Sequence, residues 1–144
     1  MALRMGIDAI LDELLRTLAA SRVTLRQDLP GDYAFSVTHE SLAAGVSSLA
    51  NERTVDLRSQ PVVRELLQGR QVVQPDCATA FSDPAFQRMR ETYGGLAAQI
   101  VTPVLVGDRL AAILSVHQLG VARSWTDAEI EACKNAATQT GALL

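Results

Sequence analysis

"LAAQIVTPVLVGDRLAAILSVHQ", residues 96–118, decides the fold. Two apolar runs flank Gly107–Asp108, a pair suited to a two-residue hairpin turn. Such a turn joins neighbouring antiparallel strands. Both faces of both runs are largely apolar, and a strand of that kind must be covered on both sides. The pattern predicts a central hairpin with a layer of structure above and below it. Pro103 has no N–H to give a ladder, so it marks a bulge or a locally unpaired position.

Outward from the hairpin, "TDAEIEACKNAATQTGALL" (126–144) opens with Thr126 and, three residues on, Glu129. That is a capping box at the start of a helix over about 126–143. Ile130, Cys133, Ala137 and Thr140 share one face, and the small residues permit close approach to another helix. At the other end Ile7, Ile10, Leu11, Leu14, Leu15 and Leu18 recur at helical spacing and predict a helix over about 5–20. "SRVTLRQDL" (21–29) alternates, with Val23 and Leu25 on one face and Thr24 and Arg26 on the other. "YAFSVTHES" (33–41) alternates again, with Tyr33, Phe35, Val37 and His39 sharing a face. Pro30 and Gly31 in "LPGDY" supply turn chemistry, so these two strands read as a second hairpin.

The segment between the hairpins is less regular. Residues 42–59 have small side chains and no firm period, and fit a short helix or an irregular strand. "SQPVVRELLQG" (59–69) reads as a short helix, with Ser59 as cap, Pro61 in the first turn and Gly69 as stop. "QVVQPDC" (71–77) is a short strand. "SDPAFQRMRETYGG" (82–95) repeats the helix pattern, with Ser82 or Asp83 as cap and Gly94–Gly95 as stop. Runs of strands rather than alternating βαβ units predict an α+β fold. It has a central antiparallel sheet of about five or six strands, the two terminal helices on one face and the short crossover helices on the other.

Composition narrows the function. The chain has 144 residues, 48% of them hydrophobic, which suits one globular domain spanning 1–144. Its net charge is -3, and its arginines are scattered rather than gathered into a stripe, which argues against direct nucleic-acid binding. Two cysteines and two histidines are not spaced as a zinc site. No apolar run approaches a membrane span, and the amino terminus lacks a signal-peptide core, so a cytoplasmic protein is expected.

From Val62 to the carboxyl end the chain resembles a GAF domain. The pieces that carry the likeness are "PVVRELLQGRQVVQPDC", "IVTPVLVGDRLAAILSVHQ" and "WTDAEIEACKNAATQTG". The amino-terminal helix and first hairpin fit the family in order and length. The resemblance implies a GAF/PAS-like fold and a bacterial, non-catalytic sensor. Its small-molecule effector would lie between the sheet and the crossover helices. It also implies a homodimer formed through the terminal helices. Those helices would signal to a partner or output domain, such as a histidine kinase. Ala111 and Ala112 stand where the family usually has Gly.

"SVHQLGVARSW" (115–125) is similar to the GAF segment of bilin photoreceptors, where a His-Gln pair precedes a Pro-Arg-x-Trp loop. Here Ala122 replaces that proline. Those proteins attach their chromophore through a Cys-His pair just before the central hairpin. The corresponding "FSDPAFQRMRETYGG" (81–95) has no cysteine and Cys77 lies too early, so a covalent bilin is not expected. Two alternatives stay open. One is a dimerisation module whose pocket is filled by its own side chains. The other is a thiol-dependent enzyme of the methionine sulfoxide reductase kind, for which Cys77 and Cys133 are poorly placed as a redox pair.

A pocket needs apolar walls and a few convergent polar groups. From the sheet the candidates are Phe35, Val37, His39, Gln99, Val101, Ser115 and His117. From the cover they are Val63, Leu66, Leu67, Phe81, Phe86, Met89 and Tyr93. Gln99 sits inside an apolar strand and needs a partner if buried. His117 ends a central strand, as a ligand contact or as a histidine bonded to backbone. Arg64, Arg88 and Arg90 on the crossover helices are solvated or clamp an anion. Asp76 reads as a cap, and Trp125 as packing for the last helix.

Overall fold

The computed structural model describes residues 2–144 apart from Tyr33 and Arg53, with side chains from residue 6 onward. The elements are α1 (Ala2–Leu18), β1 (Arg22–Gln27), β2 (Val37–Leu42), α2 (Pro61–Leu67), β3 (Val72–Gln74), α3 (Cys77–Ala80), α4 (Pro84–Thr92), β4 (Leu96–Val106), β5 (Arg109–Leu119) and α5 (Asp127–Leu143). The five strands form one antiparallel sheet in the order β2-β1-β5-β4-β3. The fold is α+β, as the strand runs imply.

β4 and β5 make the central hairpin, turning at Gly107, whose φ of 63° suits a residue without Cβ. The ladder shifts register between Val104 and Leu105, next to Pro103. On one face Val23, Leu25, Ile100, Val104, Ala112, Leu114 and Val116 meet Ile7, Leu11, Leu14 and Leu18 of α1 and Cys133, Ala136 and Ala137 of α5. Each Val, Leu or Ile side chain among them, fully buried, contributes about 1.5–3 kcal/mol. On the other face Val72, Val101, Leu110 and Ile113 meet Val62, Val63, Leu66, Phe86, Met89 and Tyr93. Strand alternation divides the two cores, so neighbouring residues of β5 serve opposite layers.

The helix ends follow local chemistry. Thr126 Oγ1 accepts from the Glu129 N–H, and the Glu129 carboxylate accepts from the Thr126 N–H, completing the capping box. Asp83 rather than Ser82 caps α4, accepting from the Ala85 N–H at 2.8 Å. For α2 the cap position is Gln60, with no side-chain cap bond, because Ser59 Oγ donates to the Asp56 carbonyl instead.

The first hairpin differs from expectation. β1 and β2 pair, but β2 begins only at Val37. Phe35 has φ 50°, outside any strand, and its side chain drops into the crossover-face core. The Asp32 carboxylate orders the bend by accepting from the N–H groups of Ala34 and Ser36. Tyr33 lies outside the described residues. Among those described, residues 43–56 hold no helix or strand, and the segment closes with a 3-10 turn at Leu57–Ser59. No described helix is long and apolar enough to cross a membrane.

Candidate functional site

Register places a row of polar side chains across the crossover face of the sheet. Gln74 pairs with Gln99, Gln99 with His117, and His117 with Arg22. Residues directly opposite in an antiparallel pair share a face. All four are buried, with exposures of 5%, 3%, 3% and 1% in that order. The next row holds Val101, Ser115 and Thr24, and the one beyond it Ile113 and Arg26.

These polar groups bond to one another, as burial demands. The Gln99 amide donates to Gln74 Oε1 at 2.8 Å. Arg22 Nε donates to His117 Nδ1 at 3.1 Å, while its terminal nitrogens donate to the carbonyls of Ser47 and Tyr93. An imidazole nitrogen that accepts carries no proton, so His117 is neutral with its proton on Nε2. Burial and then the nearby Arg22 and Arg26 charges push the His117 pKa well below its usual value. Burial also lowers Arg22 to about 10, partly offset by Glu40.

Arg26 donates to the Phe35 carbonyl at 3.0 Å and to the Tyr93 hydroxyl at 3.1 Å. The Tyr93 ring stacks on His117, with centroids 5.9 Å apart, and both guanidinium carbons lie within 6.0 Å of its centre. Burial raises the Tyr93 pKa, against the pull of Arg26, which keeps the phenol protonated.

A small cleft, about 30 Å³ in volume, lies between this surface and the crossover helices. Arg26, Gln60, Tyr93, Gln99, Ser115 and His117 give it polar groups. Leu57, Val62, Val63, Leu66, Met89, Val101 and Ile113 give it apolar walls. Among the described residues, Gln60 Oε1 and Thr24 Oγ1 are buried without a hydrogen-bond partner.

Of the residues expected at a pocket, Met89, Tyr93, Gln99, Ser115 and His117 meet at the cleft, with Val63, Leu66 and Val101. Phe35, Phe81 and Phe86 do not line it. Phe35 and Phe86 are buried in the core beside it, and Phe81 packs edge-on against Phe86. His39 pairs with Leu25, which faces α1 and α5, so it is turned away from the cleft and borders Asp8 and Asp12 instead. Leu67 is 62% exposed on the outer side of α2. Arg64 and Arg88 are solvent-exposed, and Arg90 is held by Gln87 and the Leu96 carbonyl. Asp76 caps α3 by accepting from the Ala78 N–H.

Sequence reasoning passed over Arg22 and Arg26, placing Arg26 with Thr24 on the face of β1 opposite Val23 and Leu25 and giving neither arginine a role. The signal was present, because a hairpin covered on both faces implies cover for its neighbouring strand too. Both thiols are fully buried and raised to about 12 by desolvation, which disfavours the reactive thiolate. Among the described residues no group of three or more His, Cys, Asp or Glu side chains is arranged to hold a metal.

The loop after His117 ties the cleft wall to the terminal helices. Arg123 donates to Gln118 Oε1 at the end of β5, to the carbonyls of Leu18 and Ala19 at the end of α1, and to Glu129 in α5. Its guanidinium lies 4.4 Å from the centre of the Trp125 ring. Trp125 in turn donates to the Gln74 carbonyl at 3.1 Å.

The architecture has known counterparts. The blue-light-absorbing form of the Thermosynechococcus elongatus PixJ GAF domain is 20% identical, with a TM-score of 0.82 over 98% of this chain and 83% of that one. The photoproduct state of GAF3 from Slr1393 of Synechocystis sp. PCC6803 is 25% identical, with a TM-score of 0.78 over 96% and 90%. A phycocyanobilin-bound GAF domain from a cyanobacterial phytochrome is 23% identical, with a TM-score of 0.81 over 97% and 82%. At this level of identity the likeness establishes the fold. No curated protein sequence matches significantly. The family model for the GAF domain matches residues 3–144, and the chain therefore belongs to the GAF domain family.

Proposed function

We propose that this domain is a non-catalytic sensor. A small effector would bind in the cleft between the sheet and the crossover helices, and the terminal helices would pass occupancy on. The observation that carries this reading is the buried polar surface of Arg22, Arg26, His117, Gln99 and Gln74 beneath a thin cover. Placing charge in a core is costly, and apolar residues of similar volume would hold the sheet as well or better. Polar groups converging on a cleft are what ligand orientation requires.

Signal transfer needs an element that both states move. Gln118, next to His117, is bonded to Arg123, which grips α1 and α5. A shift at the cleft end of β5 thus reaches both terminal helices in one step. Their exposed surfaces would form the homodimer contact and address a histidine kinase or other output module. We place the domain in the bacterial cytoplasm.

The solved relatives include bilin-bound GAF domains. A covalent bilin is not part of this proposal. Cys77 is fully buried in the crossover-face core, with its thiol at 3.5 Å from Gln74 Oε1.

The test is a thermal-shift screen with nucleotides, amino acids and aromatic acids. A ligand at about 100 times its Kd stabilises the fold by about 2.7 kcal/mol, a clear rise in Tm. The small cleft volume favours a second reading, a domain that only dimerises and docks. A panel in which nothing raises Tm would sink the sensor reading in favour of that one.

A further inference from the structure

Neither arginine beside the cleft is held in a direct ion pair among the described residues. Arg26 is 6% exposed, and its acceptors, the Phe35 carbonyl and the Tyr93 hydroxyl, are neutral. The acceptors of Arg22 are neutral too. Among the described residues the ion pairs are Arg58 with Asp28, Arg70 with Glu65, and Arg123 with Glu129, so neither inward arginine has a carboxylate within pairing distance. The charges of Glu40 and Glu52 reach Arg22 and Arg26 through space without direct contact. Glu40 accepts from the Ser48 hydroxyl and the Leu49 N–H. Glu52 accepts from Thr54 and the Val55 N–H.

A buried guanidinium is ordinarily matched by an anion. Two of the five N–H groups of Arg26 are used, and its fork can offer a bidentate pair to a carboxylate. Gln60 lines the same cleft with a buried amide whose oxygen is unpartnered, and turning that amide presents a donor instead. The remaining wall is aliphatic, from Leu57, Val62, Val63, Leu66, Met89, Val101 and Ile113.

On the basis of the sensor reading above, we propose that the effector is an organic acid, an apolar body bearing one carboxylate that pairs with the Arg26 guanidinium. Tyr93 and Gln60 flank the carboxylate. Arg22 supplies a second positive charge from behind His117. The apolar body lies along α2 and α4. At about 30 Å³ the cleft accommodates only the head of such a molecule, so entry of the body displaces the crossover layer outward. The sheet and its polar row stay in place.

The experiment is calorimetric titration of the whole chain at pH 7.5 with matched acids and amides. The probes are benzoate and benzamide, octanoate and octanamide, and indole-3-acetate and indole-3-acetamide. At least one acid is expected to bind about tenfold or more tighter than its amide, the size of one charge-assisted contact. Arg26→Met is expected to abolish that preference, and Arg64→Met, on the exposed side of α2, to leave it intact.

Binding in which no acid is preferred over its amide overturns the inference while the sensor reading survives. Failure of every acid and amide to bind overturns the inference, and the sensor reading then stands or falls on the wider thermal-shift panel. If Arg26→Met does not fold, Arg26→Lys keeps the charge and removes the fork, and the acid–amide comparison on the unaltered chain still decides.

Discussion

His117 is the residue where burial and charge act most directly together. It is neutral in the fold, accepts from Arg22, and has a pKa held well below its usual value by desolvation and by two guanidinium groups. In the unfolded chain the same imidazole takes up a proton near its ordinary value of 6.5. Below that pH the unfolded state binds a proton that the folded state refuses. His117 thus contributes stability that is fully present above about pH 6.5 and lost as pH falls, at up to about 1.4 kcal/mol per pH unit. Urea denaturation between pH 7.5 and 5.5 should show the slope, and His117→Gln should flatten it. An unchanged slope in the variant would show that the imidazole is not the group responsible.

His117 was legible as a strand-end polar residue of uncertain role. Its neutrality was not, because that depends on Arg22, ninety-five positions away in sequence. Arg26 was legible only as sharing a strand face with Thr24, and Arg22 was given no place. The cover laid down by residues 43–95 makes them interior, and the pattern of β1 itself carries no record of it, although the doubly apolar hairpin beside it does.

At the scale of elements, the loop from β5 to α5 does more than connect. Arg123 serves as a cap for α1, accepting none but donating to its last carbonyls, where a cation is favoured. It also pairs with Glu129 on α5. Arg123→Ala removes bonds to three elements at once. It should lower stability by about 1–3 kcal/mol in urea denaturation. It should also loosen the α1–α5 pair, read as faster amide exchange in the last turn of α1. Stability and exchange both unchanged would mean that the helices are fixed by their apolar stripe alone.

The elements themselves were largely readable. The capping box of α5, the Gly-Asp turn and the stripe of α1 are short-range signals, and each proved sufficient. The first hairpin was harder. A strand from Tyr33 was expected, but the backbone at Phe35 turns to φ 50°, so that its ring fills the crossover-face core, with Arg58 at 4.1 Å above it. Alternation cannot reveal a residue that leaves the sheet to pack elsewhere.

For the whole molecule, the sheet separates two unequal layers. The helix-face core is closed by two helices of 17 residues each, whereas the opposite core is closed by α2, α3 and α4 of 7, 4 and 9 residues and by irregular chain. Short helices depend on tertiary contacts and open at lower cost. Each layer contains one cysteine, Cys133 in the first and Cys77 in the second. Under native conditions at pH 8 an alkylating reagent should modify Cys77 faster than Cys133, with both reacting at once in urea. Equal native rates would indicate that the domain opens only as a unit. The division into two cores was visible in the doubly apolar hairpin. Which layer yields first depends on the length of the cover helices.

β5 faces both layers by alternation. Ile113, Ser115 and His117 look into the cleft, while Ala112, Leu114 and Val116 look into the helix core. Substitutions along this strand alter one compartment at a time, which leaves sequence free to drift, and relatives only 20–25% identical keep the same shape. Adding or deleting a single residue would instead exchange the two sets, sending the imidazole among the leucines and Val116 toward the arginines. Evolution can respell this strand, but it cannot change the number of letters.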